Sequence, residues 1–147
     1  MNSPFRTAAA ATFALVLSPL SPAHAATVEK VTLTDADGAM KVMASKKTLK
    51  AGKVTFDVTN PKTSGSEHEM IVVRLTPEQV ANPMSLPYVD AENKVDEERI
   101  KDLGEVSELQ PGQSGSLTLT LPPATYMLLC NVAGHYKAGM FTLVTVK

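Results

Sequence analysis

Apolar and polar residues alternate along this chain in short runs, and turn signals separate the runs. Residues 28–33 (Val-Glu-Lys-Val-Thr-Leu), 54–59 (Val-Thr-Phe-Asp-Val-Thr) and 114–121 (Ser-Gly-Ser-Leu-Thr-Leu-Thr-Leu) repeat with period two. That period marks a strand with one buried face. Residues 69–75, 126–129 and 141–146 are apolar, most of them β-branched or leucine, and also read as strands. Residues 40–43 read as a short edge strand, and residues 45–50 as a polar, basic connection. Asp35-Ala36-Asp37-Gly38, Asn60-Pro61, Pro111-Gly112 and Pro122-Pro123 supply the turns. Residues 76–108 break the pattern with Pro77, Pro83 and Pro87 and a polar tract from Asp90. They predict an excursion outside the sheet, part loop and part helix, with helical turns at 96–103. About seven strands at this spacing predict an all-β fold. The expected form is a two-sheet antiparallel β-sandwich with Greek-key connections and a short helical or irregular insertion.

The 147 residues suit one ordinary domain, and 44 % of them are hydrophobic. Tryptophan is absent, so the core is mostly aliphatic. A formal net charge of −1 offers no basic field for nucleic acid. The first 25 residues read as a secretory signal. Arg6 is their one charge, residues 7–20 are mostly apolar, and Ala23-His24-Ala25 presents small residues at the cleavage positions. The apolar run is too short and too interrupted by proline to span a bilayer well. The expected mature domain is residues 26–147, periplasmic, monomeric and without stable membrane insertion. Cleavage removes Arg6 and no acid, so the formal charge moves from −1 to −2.

Cleavage also removes His24 and leaves His68, His135 and the single cysteine, Cys130. One cysteine forms no internal disulfide in an exported protein, so it needs another reason: a metal, an intermolecular bridge or a reactive thiol. The segment from Cys130 to Met140 reads C-N-V-A-G-H-Y-K-A-G-M, a thiol, an imidazole and a thioether on one loop between two strands. Soft sulfur with imidazole selects copper, zinc or iron over magnesium or calcium. Cysteine with two histidines and a weak axial methionine is a blue-copper donor set. Structural zinc sites favour four strong ligands and paired cysteines, which this chain lacks. His68 heads a strand and can supply the second imidazole.

This loop, with His68 upstream in E-H-E-M, resembles the cupredoxins, and its spacing looks most like rusticyanin and sulfocyanin. The resemblance implies one type 1 copper ion. His68, Cys130 and His135 become its metal ligands and Met140 the weak axial one. It also implies a strong sulfur–copper bond and an electron port at the exposed ring edge of His135. The function implied is electron transfer by Cu(II)/Cu(I) cycling between redox partners such as a cytochrome or an oxidase, with no enzymatic turnover. The alternative is a periplasmic copper-handling protein for resistance or delivery. Copper enzymes need further ligands, and no histidine is spare.

Three further readings concern neighbours of the loop. Many family members carry Asn or Ser after the first histidine as a brace between the ligand loops. Here Glu69 holds that place, so Glu69 and Asn131 are expected to form the brace. The acids between Asp90 and Glu108 read as a solvated face or as a docking patch for a basic partner. Met40, Met43 and Met84 are too scattered to gather copper.

Overall fold

The structure is a computed structural model and describes residues 26–147. The expected signal segment, residues 1–25, lies outside the described residues. Eleven strands form: β1 (Thr27–Thr34), β2 (Lys41–Ala44), β3 (Thr48–Leu49), β4 (Gly52–Thr59), β5 (His68–Arg74), β6 (Tyr88–Val89), β7 (Lys94–Val95), β8 (Asp102–Leu109), β9 (Ser114–Leu121), β10 (Ala124–Leu129) and β11 (Phe141–Val146). One sheet runs β2-β1-β4-β9 and the other β3-β11-β10-β5-β8, with β6 and β7 as a separate hairpin. The β-sandwich expected from the alternation is therefore the fold. Its pairing is not wholly antiparallel: β1 lies parallel to β4, and β3 parallel to β11. Periodicity sets which face of a strand is buried and says nothing of its neighbour's direction.

Two layers of core explain two kinds of strand. β1 and β4 send alternate residues inward, Val31 and Leu33 from one and Val54, Phe56 and Val58 from the other. Their opposite faces are largely open to solvent. Met70–Val73 of β5 and Tyr126–Leu129 of β10 are apolar without a break because both their faces are covered. Met70, Val72, Tyr126, Leu128 and Cys130 fill the space between the sheets. Ile71, Val73, Met127 and Leu129 point the other way and meet Leu86, Val95 and Tyr136. Leu86 and Val95 belong to the insertion, which thus roofs the outer face of the second sheet.

The insertion is shorter than the sequence suggests. Residues 76–101 leave the sheet as expected, but Asp102–Leu109 returns as an edge strand beside β5. Its pattern was masked because only Val106 and Leu109 are buried, and acids project along the rest. Charged, bulged edges of this kind resist pairing with other chains. The helix also sits elsewhere. α1 spans Pro77–Ala81, started by a Thr76/Gln79 capping box and by Pro77. The only helical turn in residues 96–103 is a 3-10 turn, Glu97–Arg99, and Asp102 already opens β8. The connection at 45–50 contains β3, too short for any period to register.

Gly115 on β9 has less room for a side chain than any other glycine of the described residues. A Cβ there would lie 2.5 Å from Cγ1 of Val106, a β-branched side chain with little freedom to move. We predict that Gly115→Ala lowers unfolding stability by about 1–3 kcal/mol, as overpacked cores do. Thr120→Ser, on the exposed face of the same strand, should change it by less than about 0.5 kcal/mol. Urea denaturation of both variants checks this, and equal stability would refute the close-packing reading.

Candidate metal centre

Strand ends set the site. β5 begins at His68, β10 ends just before Cys130, and β11 begins just after Met140. β10 pairs antiparallel with both neighbours, Leu129 opposite Phe141 on one side and Ile71 on the other. The three chain segments therefore reach one end of the sandwich together. His68 is in step with Met70 and Val72, and Cys130 with Tyr126 and Leu128, so both face the inter-sheet core.

The loop from Cys130 to Met140 is closed by its own backbone. Cys130 N–H donates to Met140 O (3.0 Å), Met140 N–H to His135 O (3.0 Å), and His135 N–H to Val132 O (2.9 Å). Gly134 and Gly139 take φ of 84° and 89°, values that favour glycine. These bonds hold cysteine, histidine and methionine in a fixed relation. Met140 is fully buried.

The structure brings together His68, Cys130 and His135. One donor atom from each lies within 4.8 Å of the other two, and all three residues are buried. The Cys130 Sγ lies 3.4 Å from His135 Nδ1 and 3.9 Å from His68 Nδ1. The two rings sit 5.2 Å apart between centroids and are tilted by 57°. His135 is 8 % exposed and His68 0 %, so His135 is the imidazole nearer solvent. Among the described residues this is the one such cluster of His, Cys, Asp and Glu.

The electrostatics favour a cation. Burial pushes the Cys130 thiol up to about 11, against the pull of the Glu69 and Val132 amides. The Glu69 N–H donates to Sγ at 3.5 Å. Burial holds His68 and His135 below the usual imidazole range, with mutual repulsion adding to the effect at His68. Neutral imidazoles and a desolvated thiol are poor as isolated groups, and a bound metal relieves all three by taking their lone pairs and displacing the thiol proton.

The expected brace is replaced by another. Asn131 does not meet the Glu69 carboxylate. It accepts from Val95 N–H (2.7 Å) and donates to Val95 O (3.0 Å) and Glu97 Oε1 (2.7 Å). Its partners lie on β7 and the 3-10 turn. The Tyr136 hydroxyl donates to Pro83 O (2.6 Å) and accepts from Leu86 N–H (3.2 Å), while Gly134 N–H donates to Asn93 O (2.7 Å). The insertion thus clamps the loop along its length. Glu69 contributes its amide instead. Its carboxyl is buried, Oε1 has no partner, and burial pushes it up to about 7 with Glu108, Glu105 and Glu97 adding to the rise and Lys94 opposing it.

Asp35 was not foreseen. It sits at the turn after β1, and its carboxylate accepts from Gly65 N–H and Ser66 Oγ–H, both at 2.7 Å. Oδ1 lies 3.9 Å from His68 Nε2, a buried nitrogen with no hydrogen-bond partner among the described residues. The Ser66 bond leads in holding Asp35 below its usual range. Only the D-A-D-G turn signal marked this acid, and nothing in it points to a histidine thirty-odd positions on.

The remaining readings fall in place. The acids from Asp90 to Glu108 are spread over the β6–β7 hairpin, the 3-10 turn and β8 rather than on one helix face. Asp90 pairs with Lys137 (2.8 Å), which ties the acidic hairpin to the ligand loop. Met43 and Met84 are exposed on different elements, and Met40 packs on the core, so no methionine cluster forms from them.

A β-sandwich with two buried imidazoles and a buried thiol facing one point at its end is a copper-binding protein of the cupredoxin class. Residues 29–147 match the copper binding proteins of the plastocyanin/azurin family, and the chain belongs to that family, whose members are blue copper electron-transfer proteins. It is similar to auracyanin-B of Chloroflexus aurantiacus, 29 % identical over 104 residues that make up 63 % of this chain and 41 % of that protein. The chain thus spans about two fifths of that relative's length. A solved structure of auracyanin B superposes with a TM-score of 0.58 at 25 % identity, covering 86 % of this chain and 93 % of that one. The azurin Az-iso2 of Methylomonas sp. strain J shares the fold, with a TM-score of 0.54 at 17 % identity over 84 % and 99 % of the two chains.

Two outcomes follow. Asn131→Ala removes three bonds between the insertion and the loop, and should destabilise the protein by about 2–3 kcal/mol. It should also speed copper loss to a chelator, and unchanged loss would show that the clamp does not hold the site. Asp35→Asn keeps the shape and removes a negative charge beside His68. The reduction potential should then rise by tens of millivolts, the sign expected when a charge that favours the more positive ion is lost. An unchanged or lower potential would refute this.

Proposed function

We propose that this protein is an exported electron carrier whose single type 1 copper is held by His68, Cys130 and His135, with Met140 as the weak axial ligand. The observation that carries this is the convergence of one thiol and two imidazole nitrogens within 4.8 Å of one another in a desolvated pocket. Copper, when bound, supplies a one-electron Cu(II)/Cu(I) couple. The protein's part is to resist rearrangement as the charge changes. Strand ends, the closed loop and the insertion clamp all fix donor positions, which keeps reorganisation small and transfer fast.

His135 is the side chain through which electrons enter and leave, because it is the donor nearest solvent. The acidic β6–β7 hairpin and the 3-10 turn after it, joined to the ligand loop through Asp90–Lys137 and Glu97–Asn131, would attract a basic redox partner such as a cytochrome or oxidase. No substrate is transformed. Residues 1–25 direct export to the periplasm and are removed, leaving residues 26–147 as the working domain. The protein works as a monomer without stable membrane insertion. No helix of the described residues is long and apolar enough to cross a membrane.

Cys130→Ser should abolish redox-active copper binding, whereas Met140→Leu should retain copper and raise the potential. Copper content by mass spectrometry and voltammetry read both. A protein that gives up its copper readily to an acceptor would favour the copper-handling reading instead. Electron exchange with a basic cytochrome should slow as salt rises. A flat salt profile would remove the docking role of the acidic hairpin.

A further inference from the structure

The end of the sandwich opposite the copper-binding cluster has a character of its own. His68 starts β5 and Cys130 follows β10, so the far end is where β5 finishes and β10 begins. Lys46, Lys50, Lys53, Arg74, Lys101 and Lys147 all lie at this far end, and all are exposed. The backbone joins their segments. Ala51 N–H donates to Lys147 O (3.1 Å), Lys147 N–H to Leu49 O (3.0 Å), and Arg74 N–H to Lys101 O (3.1 Å). Lys53 is the second residue of β4, opposite Thr120 near the close of β9. Lys46 N–H bonds the carboxylate of Glu29, near the start of β1.

The cations thus cover strand ends of both sheets in one broad face. None of the six forms an ion pair among the described residues, where the salt bridges of lysine are at Lys41 and Lys137. The opposing charge here is small: Glu78 and Asp102 are exposed, and Glu29 is buried. Most other acids lie toward the copper end or on the insertion. Six of the thirteen lysines and arginines of residues 26–147 thus gather at one pole of a chain of slightly negative charge.

We propose that this basic pole rests on a bilayer surface rich in anionic lipid headgroups and turns the copper end toward the aqueous phase. Two features favour a membrane over a small anion or an acidic protein. The six cations are spread over segments of both sheets, and only Arg74 and Lys101 among them share a concavity, which suits a surface of diffuse negative charge. Leu75, Pro77, Val80 and Pro123 line a shallow concavity beside Arg74, an apolar rim able to sit at headgroup level. Peripheral binding of this kind leaves His135 and the acidic hairpin free for a diffusing redox partner. The copper need not be present, so the inference stands apart from the electron-transfer reading.

The test is flotation of the exported protein, with and without copper, on vesicles of equal parts phosphatidylcholine and phosphatidylglycerol, beside vesicles of phosphatidylcholine alone. Binding should require the anionic lipid, be lost with added salt, and be the same with and without copper. Lys50→Gln and Lys147→Gln should each lower the partition coefficient by about fivefold, as expected for a cation near a charged surface. Lys41→Gln and Lys62→Gln, at the other end, should leave it unchanged. The salt dependence of the unaltered protein needs no variant to fold. Absence of lipid-dependent binding, or equal losses from both pairs of lysines, overturns the proposal. So does retention on polyglutamate through Lys50 and Lys147 without vesicle binding, which would assign the pole to an acidic protein.

Discussion

The constraint on which the structure depends is the meeting of one sulfur and two ring nitrogens in a space that excludes water. Each group resists that place alone. A buried thiol holds its proton, with Cys130 pushed up to about 11, and buried imidazoles shed theirs. The fold imposes the meeting through its strand register. β10 pairs with β5 and β11 so that three chain segments end at one pole. The donors inherit the rigidity of the sheets behind them, which a redox ion needs if its surroundings are to move little between charge states.

A second layer explains why the site is stiff. The outer face of the second sheet is roofed by the insertion, whose Leu86 and Val95 pack on Ile71, Val73, Met127 and Leu129. The same segment grips the ligand loop through Asn131, Gly134 and Tyr136. Packing of the roof and positioning of the loop are thus one structural job, and loosening either would loosen the other. Asp35 adds a distant element, since a turn on the first sheet presents a carboxylate to the far nitrogen of a histidine on the second. At 3.9 Å it acts on the ring as a nearby charge rather than as a hydrogen-bond acceptor.

Much of this was legible in the residues. Period-two runs located β1, β4 and β9 because each of these strands has a solvated face. The C-x4-H-x4-M loop announced its chemistry because those donors are close in sequence. His68 is reached by elimination and family resemblance, and the fold sets a nitrogen of its ring within 4.8 Å of donor atoms of Cys130 and His135. What stayed hidden is non-local. β8 lacks an apolar face of its own, so charges concealed its pairing with β5. Glu69 was given a brace that Asn131 makes with Val95 and Glu97, since one sequence does not show which segment will lie across a loop. Asp35 was silent for the same reason.

The central claim is that His68, Cys130 and His135 bind one copper ion through a thiolate. The most direct measurement is the visible and electron paramagnetic resonance spectrum of the copper-loaded protein. An intense thiolate-to-copper absorption band with narrow copper hyperfine splitting is the result expected. A weak ligand-field band with wide splitting, as nitrogen and oxygen donors give, would show that the sulfur is not bound and would contradict the account.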